Sequence, residues 1–359
     1  MAKEDGRPRP APEDRTSPPS LVRELRDAVT VRAVLLVFGV FVLTTLFIAS
    51  YSGAFHSPRP QDVTLGVAAP GDAARQVAGR LDRLPGSPLD PRVVSGRGEA
   101  EQRVRHRSLD AALVVAPRGR TDELLVASGA GASLPGAVAE VVSRAEKAQG
   151  RTVRTVDVAP ASSRDARGLS AFYLVVGWCV GGYLCAAILA ISYGARPTTT
   201  TRAIIRVGAL ALYSLLTGLA GAVVIGPLVG ALPGSVAALW GLGALVVFAV
   251  GATTLAFQGV AGIVGIGLAI LVVVVAGNPS AGGAYPYPLL PPFWRAIGPA
   301  LPPGAGTWSA RSIAYFGDHG VAGPLWVLAG WAVGGTVVTL TAAALRTRRR
   351  RTHGRPATG

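Results

Sequence analysis

The stretch from Ser170 to Leu345 carries only six formal charges, and this scarcity constrains the fold more than any other feature of the sequence. Soluble domains contain roughly 25% charged residues, so a stretch of this length could not keep a hydrated surface in water. We therefore predict a membrane domain over residues 169–345. Its charged residues are Arg196, Arg202, Arg206, Arg295, Arg311 and Asp318.

Long apolar runs predict six transmembrane helices, because about 20 apolar residues are needed to cross the hydrocarbon core. Only Gln258 and Gly259 separate the fourth run from the fifth. We expect a tight hairpin there, since one helix over both runs would be far too long for a single crossing; one broken helix is the alternative. The predicted spans are 33–50, 169–191, 203–226, 236–257, 260–276 and 322–345.

Three clusters of arginines predict the orientation in the membrane, because cytoplasmic loops are enriched in Lys and Arg. Six spans place all three clusters on one side. We therefore expect a multi-pass protein of a bacterial plasma membrane with both termini in the cytoplasm and the first span retained as an anchor. The net charge of +15 then reflects topology, and no nucleic-acid partner is expected. The clusters are Arg23, Arg26 and Arg32, then Arg196, Arg202 and Arg206, then Arg346 and Arg348–Arg351.

The two ends of the chain are predicted to lie outside the membrane core. Residues 1–19 are rich in proline and charge, which predicts a disordered cytoplasmic tail. Residues 20–32 have a capping Ser20 and one apolar face, which favours an interfacial helix; an extension of the first span is the alternative. Residues 346–359 form a basic cytoplasmic tail suited to contact with anionic lipids.

Residues 51–168 alternate between short strand and helix patterns, which predicts an extracytoplasmic α/β domain between the first two spans. The domain contains no cysteine, so no disulfide stabilises it. The fold class is thus a polytopic α-helical membrane protein with six transmembrane helices and an α/β domain between helices 1 and 2. Strands are expected at 62–68, 92–95, 109–116, 123–128 and 153–158, and helices at 72–84, 99–107 and 134–149.

Residues 278–320 are too apolar for a free loop and too rich in proline for a continuous span. Irregular backbone at membrane depth is tolerated only where protein or a cavity covers it. We therefore predict a short re-entrant or interfacial pair of helices before the last span. The alternative is an aromatic belt, with Trp294, Trp308 and Tyr315 at headgroup level.

Signatures of catalysis, nucleotide binding and metal binding are absent from the sequence. There is no phosphate-binding loop and no zinc-protease motif, and the four histidines are scattered. Cys179 and Cys185 point apart on the second span, so they do not bridge. We expect no enzyme activity, metal ion or cofactor in this chain. No Asp, Glu, Lys or His lies in a predicted span, which argues against a transporter driven by ions.

Small-residue spacing in the spans predicts close helix packing. Gly177 and Gly181 form one such pair in the second span, and Gly330 and Gly334 form another in the sixth. Glycines four residues apart let helices approach closely in lipid. The spacing indicates packing without indicating a partner.

Two motifs and the order of segments resemble the permeases of type-2 ABC exporters, closest to their phage-infection-protein-like branch. Ser108–Ala130 and the following Leu134–Ala148 are similar to that family's outer domain. The chain departs from the family at residues 69–72, where the usual acidic motif is missing. The family's pattern before the last span is filled by Gly282, Gly283, Pro291, Trp294, Leu301, Pro302 and Arg311.

The resemblance implies that the chain moves an amphiphile outward, be it a lipid, drug, glycan or peptide. ATP would be hydrolysed on a separate cytoplasmic ABC ATPase, which Arg196, Arg202 and Arg206 would contact. Membrane lipids and a second permease half, identical or related, would be the other partners. The alternative function is a membrane scaffold or surface receptor that presents the outer domain. The residues implied at an outer gate are Pro286, Pro288, Pro291, Pro292, Trp294 and Arg311.

Overall fold

The computed structural model describes residues 30–353. The predicted tail at 1–19, residues 20–29 of the predicted interfacial helix and the last six residues of the basic tail lie outside this range, as do Arg23 and Arg26. The described chain divides into two units between Thr44 and Thr45. Helix α1, Val31–Phe55, begins in the first unit and ends in the second. It includes residues 31 and 32, and it continues five residues beyond the predicted end of the first span.

Five strands form one sheet in the order β2-β1-β3-β4-β5. β1 pairs in parallel with both β2 and β3, β4 runs antiparallel to β3, and β5 is parallel to β4. Every strand and helix expected in this part of the chain is present, with its ends shifted by a few residues. The strands are β1 Val63–Ala68, β2 Leu89–Val93, β3 Ala111–Val114, β4 Thr121–Val126 and β5 Thr152–Asp157. The helices are α2 Ala73–Asp82, α3 Arg97–Arg105 and α4 Ser133–Lys147.

Both faces of the sheet are covered, because alternate residues of a strand point to opposite faces. Helices α2 and α4 pack on one face, where Leu65, Leu81 and Val138 are fully buried. Helix α3 covers part of the other face, and Phe316, from the segment before the last span, completes that core. The sheet domain therefore takes part of its hydrophobic core from the membrane domain.

The membrane domain is a bundle built around one central helix. Helix α7, Val236–Ala261, packs against α5, Ser170–Tyr193, against α6, Thr200–Val223, and against α11, Ala322–His353. Helix α6 continues as a π-helical turn, Val224–Leu228, that contains Pro227. By length and composition, five helices of the described chain could cross a membrane: α1, α5, α6, α7 and α11.

The fifth predicted span is a shorter apolar helix, Val264–Ser280. It begins as α8, Val264–Ile270, and continues as a π-helical segment, Leu271–Gly277, with a final turn. The hairpin before it is confirmed, but its predicted position at Gln258 and Gly259 is wrong. The chain reverses at Gly262, whose φ of +66° suits a residue without a Cβ. Gln258 is instead buried in the bundle, where its amide donates to the carbonyl oxygen of Ala186 at 3.1 Å.

The segment before α11 forms the predicted pair of short helices, α9 (Pro292–Ile297) and α10 (Pro302–Tyr315). Helix α10 is largely buried and packs against α5, α7 and α11. Its glycines permit this, since a Cβ on Gly306 would lie 2.7 Å from the side chain of Val175. Helix α10 therefore lies inside the bundle, with its C-terminal end against the sheet domain.

Candidate functional site

A cavity of about 300 Å³ lies where the sheet domain meets the segment that contains α10. The sheet domain contributes the chain that follows α3, from Arg107 to Asp110. The membrane domain contributes the turn before α9 and one face of α10. Polar and aromatic side chains line the cavity together: Thr64, Arg107, Ser108, Asp110, Tyr287, Trp308, Arg311 and Phe316.

Arg311 is a buried junction between three parts of the chain, with only 3% of its surface exposed. Its guanidinium donates to the carbonyl oxygens of Gly282 at 2.6 Å, Gly283 at 2.8 Å and Gly168 at 2.9 Å. Gly168 lies in the connection from the sheet domain to α5, and Gly282 and Gly283 lie in the turn before α9. The Arg311 side chain of α10 therefore binds both segments. Burial lowers the pKa of Arg311 to about 10, which leaves it cationic at neutral pH.

Arg107 reaches α10 from the opposite side of the cavity. Its guanidinium carbon lies 3.4 Å from the centre of the Trp308 ring, a cation–π contact. Its Nη1 donates to the carbonyl oxygen of Trp308 at 2.9 Å and to the hydroxyl of Ser312 at 2.6 Å. Burial, together with the nearby charge of Arg311, lowers the pKa of Arg107 to about 9.

The backbone at Arg107 is left-handed, with φ of +59°. Arg107 lies two residues beyond the end of α3, and its amide donates to the carbonyl oxygen of Val104 at 3.0 Å. Glycine or asparagine normally fills such a position, because a Cβ is disfavoured there. The conformation directs the Arg107 side chain away from its own helix and over Trp308. Backbone strain of this kind clusters at functional sites.

Two further polar groups in the cavity wall have unused hydrogen-bonding capacity. The buried hydroxyl of Tyr287 has no partner among the described residues, although its ring stacks on Trp308 at 6.0 Å. Asp110 accepts hydrogen bonds through Oδ2 from the amide and hydroxyl of Thr64, at 2.9 and 2.7 Å. Burial raises the pKa of Asp110 above its ordinary value.

Several contacts outside the cavity also join the sheet domain to the membrane domain. Arg295 donates to the backbone oxygen of Gln61 and to the carboxylate of Asp62, both at 2.9 Å. Tyr315 donates to the carboxylate of Asp165 at 2.9 Å. These contacts involve the chain just before β1 and the chain after β5, so the sheet domain is joined to the membrane domain at several points.

The structure brings together only part of the predicted outer gate. Pro286 and Arg311 line the cavity, and so does Pro288. Pro291 precedes α9 and Pro292 is its first residue, while Trp294 lies beside Gly53 of α1. Of the predicted aromatic belt, Trp308 and Tyr315 are half-buried and bind other parts of the chain: Trp308 Nε1 donates to the carbonyl oxygen of Gly320 at 3.0 Å.

The arginines predicted to contact an ATPase lie at the opposite end of the bundle. Arg196 donates to the carbonyl oxygen of Val260 at 3.1 Å, beside the α7–α8 turn, and Arg346 of α11 donates to Gly259 there. Arg206 donates to the carbonyl oxygen of Gly194 at 2.7 Å. Arg202 and Arg206 line a groove of about 670 Å³ beside α5 and α6.

The predicted glycine pairs make fewer close contacts than their neighbours. A Cβ on Gly177, Gly330 or Gly334 would meet no atom of the described chain within 4 Å, and Gly181 approaches only the Tyr213 and Thr217 side chains. The closest approaches fall one residue later. A Cβ on Gly182 would lie 2.7 Å from the Val247 carbonyl oxygen, and one on Gly335 would lie 2.6 Å from Ala252.

Sequence reasoning missed Arg107, Asp110 and Tyr287 as parts of one site. A basic residue just after a charged surface helix gives no signal of burial, because its partners are about 200 residues away in the chain. Arg311 was identifiable, since it is one of few charges in an apolar stretch. Within residues 30–353, no group of three or more His, Cys, Asp or Glu side chains could hold a metal ion.

No protein-family model matches this chain, and no curated protein matches it significantly. The function is therefore inferred from the residues and their contacts.

Proposed function

We propose that this chain is the membrane-spanning permease subunit of an exporter that is driven by a separate ATPase and moves an amphiphile outward. The observation that carries the proposal is the position of α10. This helix is buried in the bundle, and Arg107 and Arg311 join it to the sheet domain. A change in helix packing would therefore be transmitted to the outer domain and would open or close the cavity between them.

The proposed topology has six crossings, with the helix Val264–Ser280 as the fifth. Its first residue follows the turn at Gly262, at the end of the bundle where Arg196 and Arg346 lie. Its other end approaches α10, since a Cβ on Gly277 would lie 2.8 Å from Pro303. At a rise of 1.5 Å per residue the helix is about 25 Å long. Through these contacts it connects both ends of the bundle. The basic end would be cytoplasmic and the sheet domain outside.

An energy source on another subunit follows from the chemistry of the spans. Within the described chain, no Asp, Glu, Lys or His lies in any of the five candidate spans, the last of which runs from Ala322 to Arg349, so these spans offer no proton relay or carboxylate ion site at that depth. The groove beside α5 and α6 would receive a segment of a cytoplasmic ABC ATPase. Arg202 and Arg206 make it basic, so an acidic or helix C-terminal segment would suit it.

A membrane scaffold or receptor remains the rival function. Such a protein needs only a tether between its outer domain and the membrane, and α1 and the connection to α5 already provide two. The additional contacts of Arg107, Arg295, Arg311 and Tyr315 favour coupled movement over simple display.

Co-purification with an ATPase tests the proposal. We expect an ATPase encoded beside this chain to co-purify in mild detergent and to hydrolyse ATP faster in the complex. Arg202→Glu should weaken this association about tenfold or more, because it reverses a charge in the groove. Arg348→Glu makes the same change at an exposed position of α11 and is the control. If no ATPase associates or is stimulated, the scaffold or receptor function is the better explanation.

A further inference from the structure

We propose that the cavity between the sheet domain and α10 binds a phosphodiester headgroup whose far end carries an amine or hydroxyl group. The ligand could be a membrane phospholipid or a soluble compound with the same headgroup, since the recognised chemistry is shared. The proposal goes beyond the proposed function, because binding requires neither transport nor an ATPase.

The arginines provide the phosphate subsite. Arg107 uses only Nη1 in its hydrogen bonds, so Nε and Nη2 have no partner among the described residues. These two groups form a fork that matches two phosphate oxygens. Every hydrogen bond donated by Arg107 or Arg311 goes to a carbonyl or hydroxyl oxygen, so no bonded carboxylate neutralises either cation.

A second, independent observation is that buried donors are left without acceptors. Arg311 is 97% buried, and its Nε has no partner within residues 30–353. Buried polar groups are nearly always hydrogen-bonded, and leaving one unpaired is costly. The Tyr287 hydroxyl is a second such group in the same wall. An anion in the cavity would offset the cost of burying two cations together.

Asp110 distinguishes a headgroup from a simple anion. Its Oδ2 is occupied by Thr64, whereas Oδ1 accepts no hydrogen bond within the described chain. A carboxylate in the wall repels inorganic phosphate but accepts a hydrogen bond from an amine or hydroxyl. Asp110 and Arg107 lie in the same cavity. A zwitterionic or hydroxylated headgroup can therefore bind both, with its phosphate on the arginines and its amine or hydroxyl on Asp110.

The volume and position of the cavity fit a headgroup without its acyl chains. About 300 Å³ is at the lower limit of small-molecule pockets. Acyl chains would have to remain outside, next to the apolar helices. Trp308 and Phe316 also line the cavity, and Arg107 lies over both rings.

The test is a calorimetric titration of the full-length protein in mild detergent with three probes. These are glycerophosphoethanolamine, dioctanoyl-phosphatidylethanolamine in mixed micelles, and inorganic phosphate. We expect both ethanolamine compounds to bind at least tenfold more tightly than inorganic phosphate. Tighter binding of the lipid than of its free headgroup would identify the membrane as the source, and equal binding would identify a soluble compound.

Arg107→Asn should weaken headgroup binding tenfold or more, because asparagine keeps the left-handed backbone but loses the guanidinium. Arg105→Asn removes the same charge from the exposed side of α3 and should leave binding unchanged. Asp110→Asn should weaken the headgroup and strengthen inorganic phosphate. A melting curve without ligand checks that each variant is folded.

Three results would overturn the proposal. Equal binding of inorganic phosphate and the headgroup would reduce the cavity to a general anion site. Equal weakening by Arg105→Asn and Arg107→Asn would assign the effect to net charge. Failure of all three probes to bind is the third such result. ATPase stimulation is measured separately, so its failure would contradict the exporter function and leave headgroup binding intact.

Discussion

At the scale of single residues, the cavity is built from side chains that act against their usual preferences. Arg107 occupies a left-handed position that favours glycine, and Arg311 lies almost completely buried without a carboxylate partner. Each is compensated by contacts with the other domain: Arg107 packs on Trp308, and Arg311 binds three carbonyl oxygens. Both side chains therefore join the sheet domain to α10.

Asp110 makes the stability of the sheet domain sensitive to pH. Its pKa is raised in the folded protein by burial, so the folded state binds a proton more tightly than the unfolded chain. Stability from this group is present in acid and is lost as pH rises through the folded pKa. Asp110→Asn keeps an acceptor for Thr64 and removes the charge. We therefore expect its melting temperature to exceed that of the wild type by an amount that grows as pH rises from about 4 to 7.

The matched control is Asp82→Asn, which makes the same change at an exposed position of α2. Melting curves of the purified proteins across this pH range provide the measurement. A difference between Asp110→Asn and wild type that shrinks toward neutral pH would contradict the prediction.

At the scale of secondary structure elements, local sequence patterns predicted most of the helices and strands. Contacts between distant segments could not be predicted from them. The alternation of apolar residues was enough for β1 and α2, because one-sided burial leaves a period in the sequence. The turn at Gly262 was misplaced by a few residues, since Gln258 is polar but lies buried in the bundle, where its amide nitrogen donates to Ala186. The cavity could not be predicted, because Arg107 and Trp308 meet only through the tertiary fold.

Helix packing in the last span provides a prediction at the same scale. A Cβ on Gly335 would lie 2.6 Å from the Ala252 and Thr253 backbone, whereas one on Gly334 meets no described atom within 4 Å. Gly335→Ala should therefore force α7 and α11 apart and reduce stability by about 1–3 kcal/mol. Gly334→Ala, its neighbour and control, should be neutral or stabilise the protein by up to about 1 kcal/mol, because alanine favours a helix where there is space for its Cβ. Thermal unfolding in detergent measures both.

The Gly334 result also bears on assembly. If Gly334→Ala left the melting temperature unchanged but dissociated a dimer, the small-residue pair Gly330 and Gly334 would pack between two copies. Equal losses in both variants would contradict the contact geometry within the chain.

At the scale of the whole molecule, the two ends of the bundle differ in chemistry as well as in position. One end carries the sheet domain, the cavity and α9, and the other carries Arg196, Arg202, Arg206 and Arg346. The helix Val264–Ser280 decides the topology, because it is too short to be assigned as a span from length alone. If it crosses, the C-terminal end of α11 and the sheet domain lie on opposite sides of the membrane, and if it does not, they lie on the same side.

Cysteine labelling tests this arrangement in intact cells. With Cys179 and Cys185 replaced by alanine, a single cysteine is placed at Arg118, in an exposed turn of the sheet domain, or at Arg348, exposed in the C-terminal part of α11. A membrane-impermeant maleimide should label Arg118→Cys in intact cells, and Arg348→Cys only after the membrane is opened. Labelling of both sites from outside would contradict six crossings, because α11 would then end on the same side as the sheet domain. The expected pattern would place the cavity outside and the arginine groove inside, which is the separation an exporter driven from the cytoplasm requires.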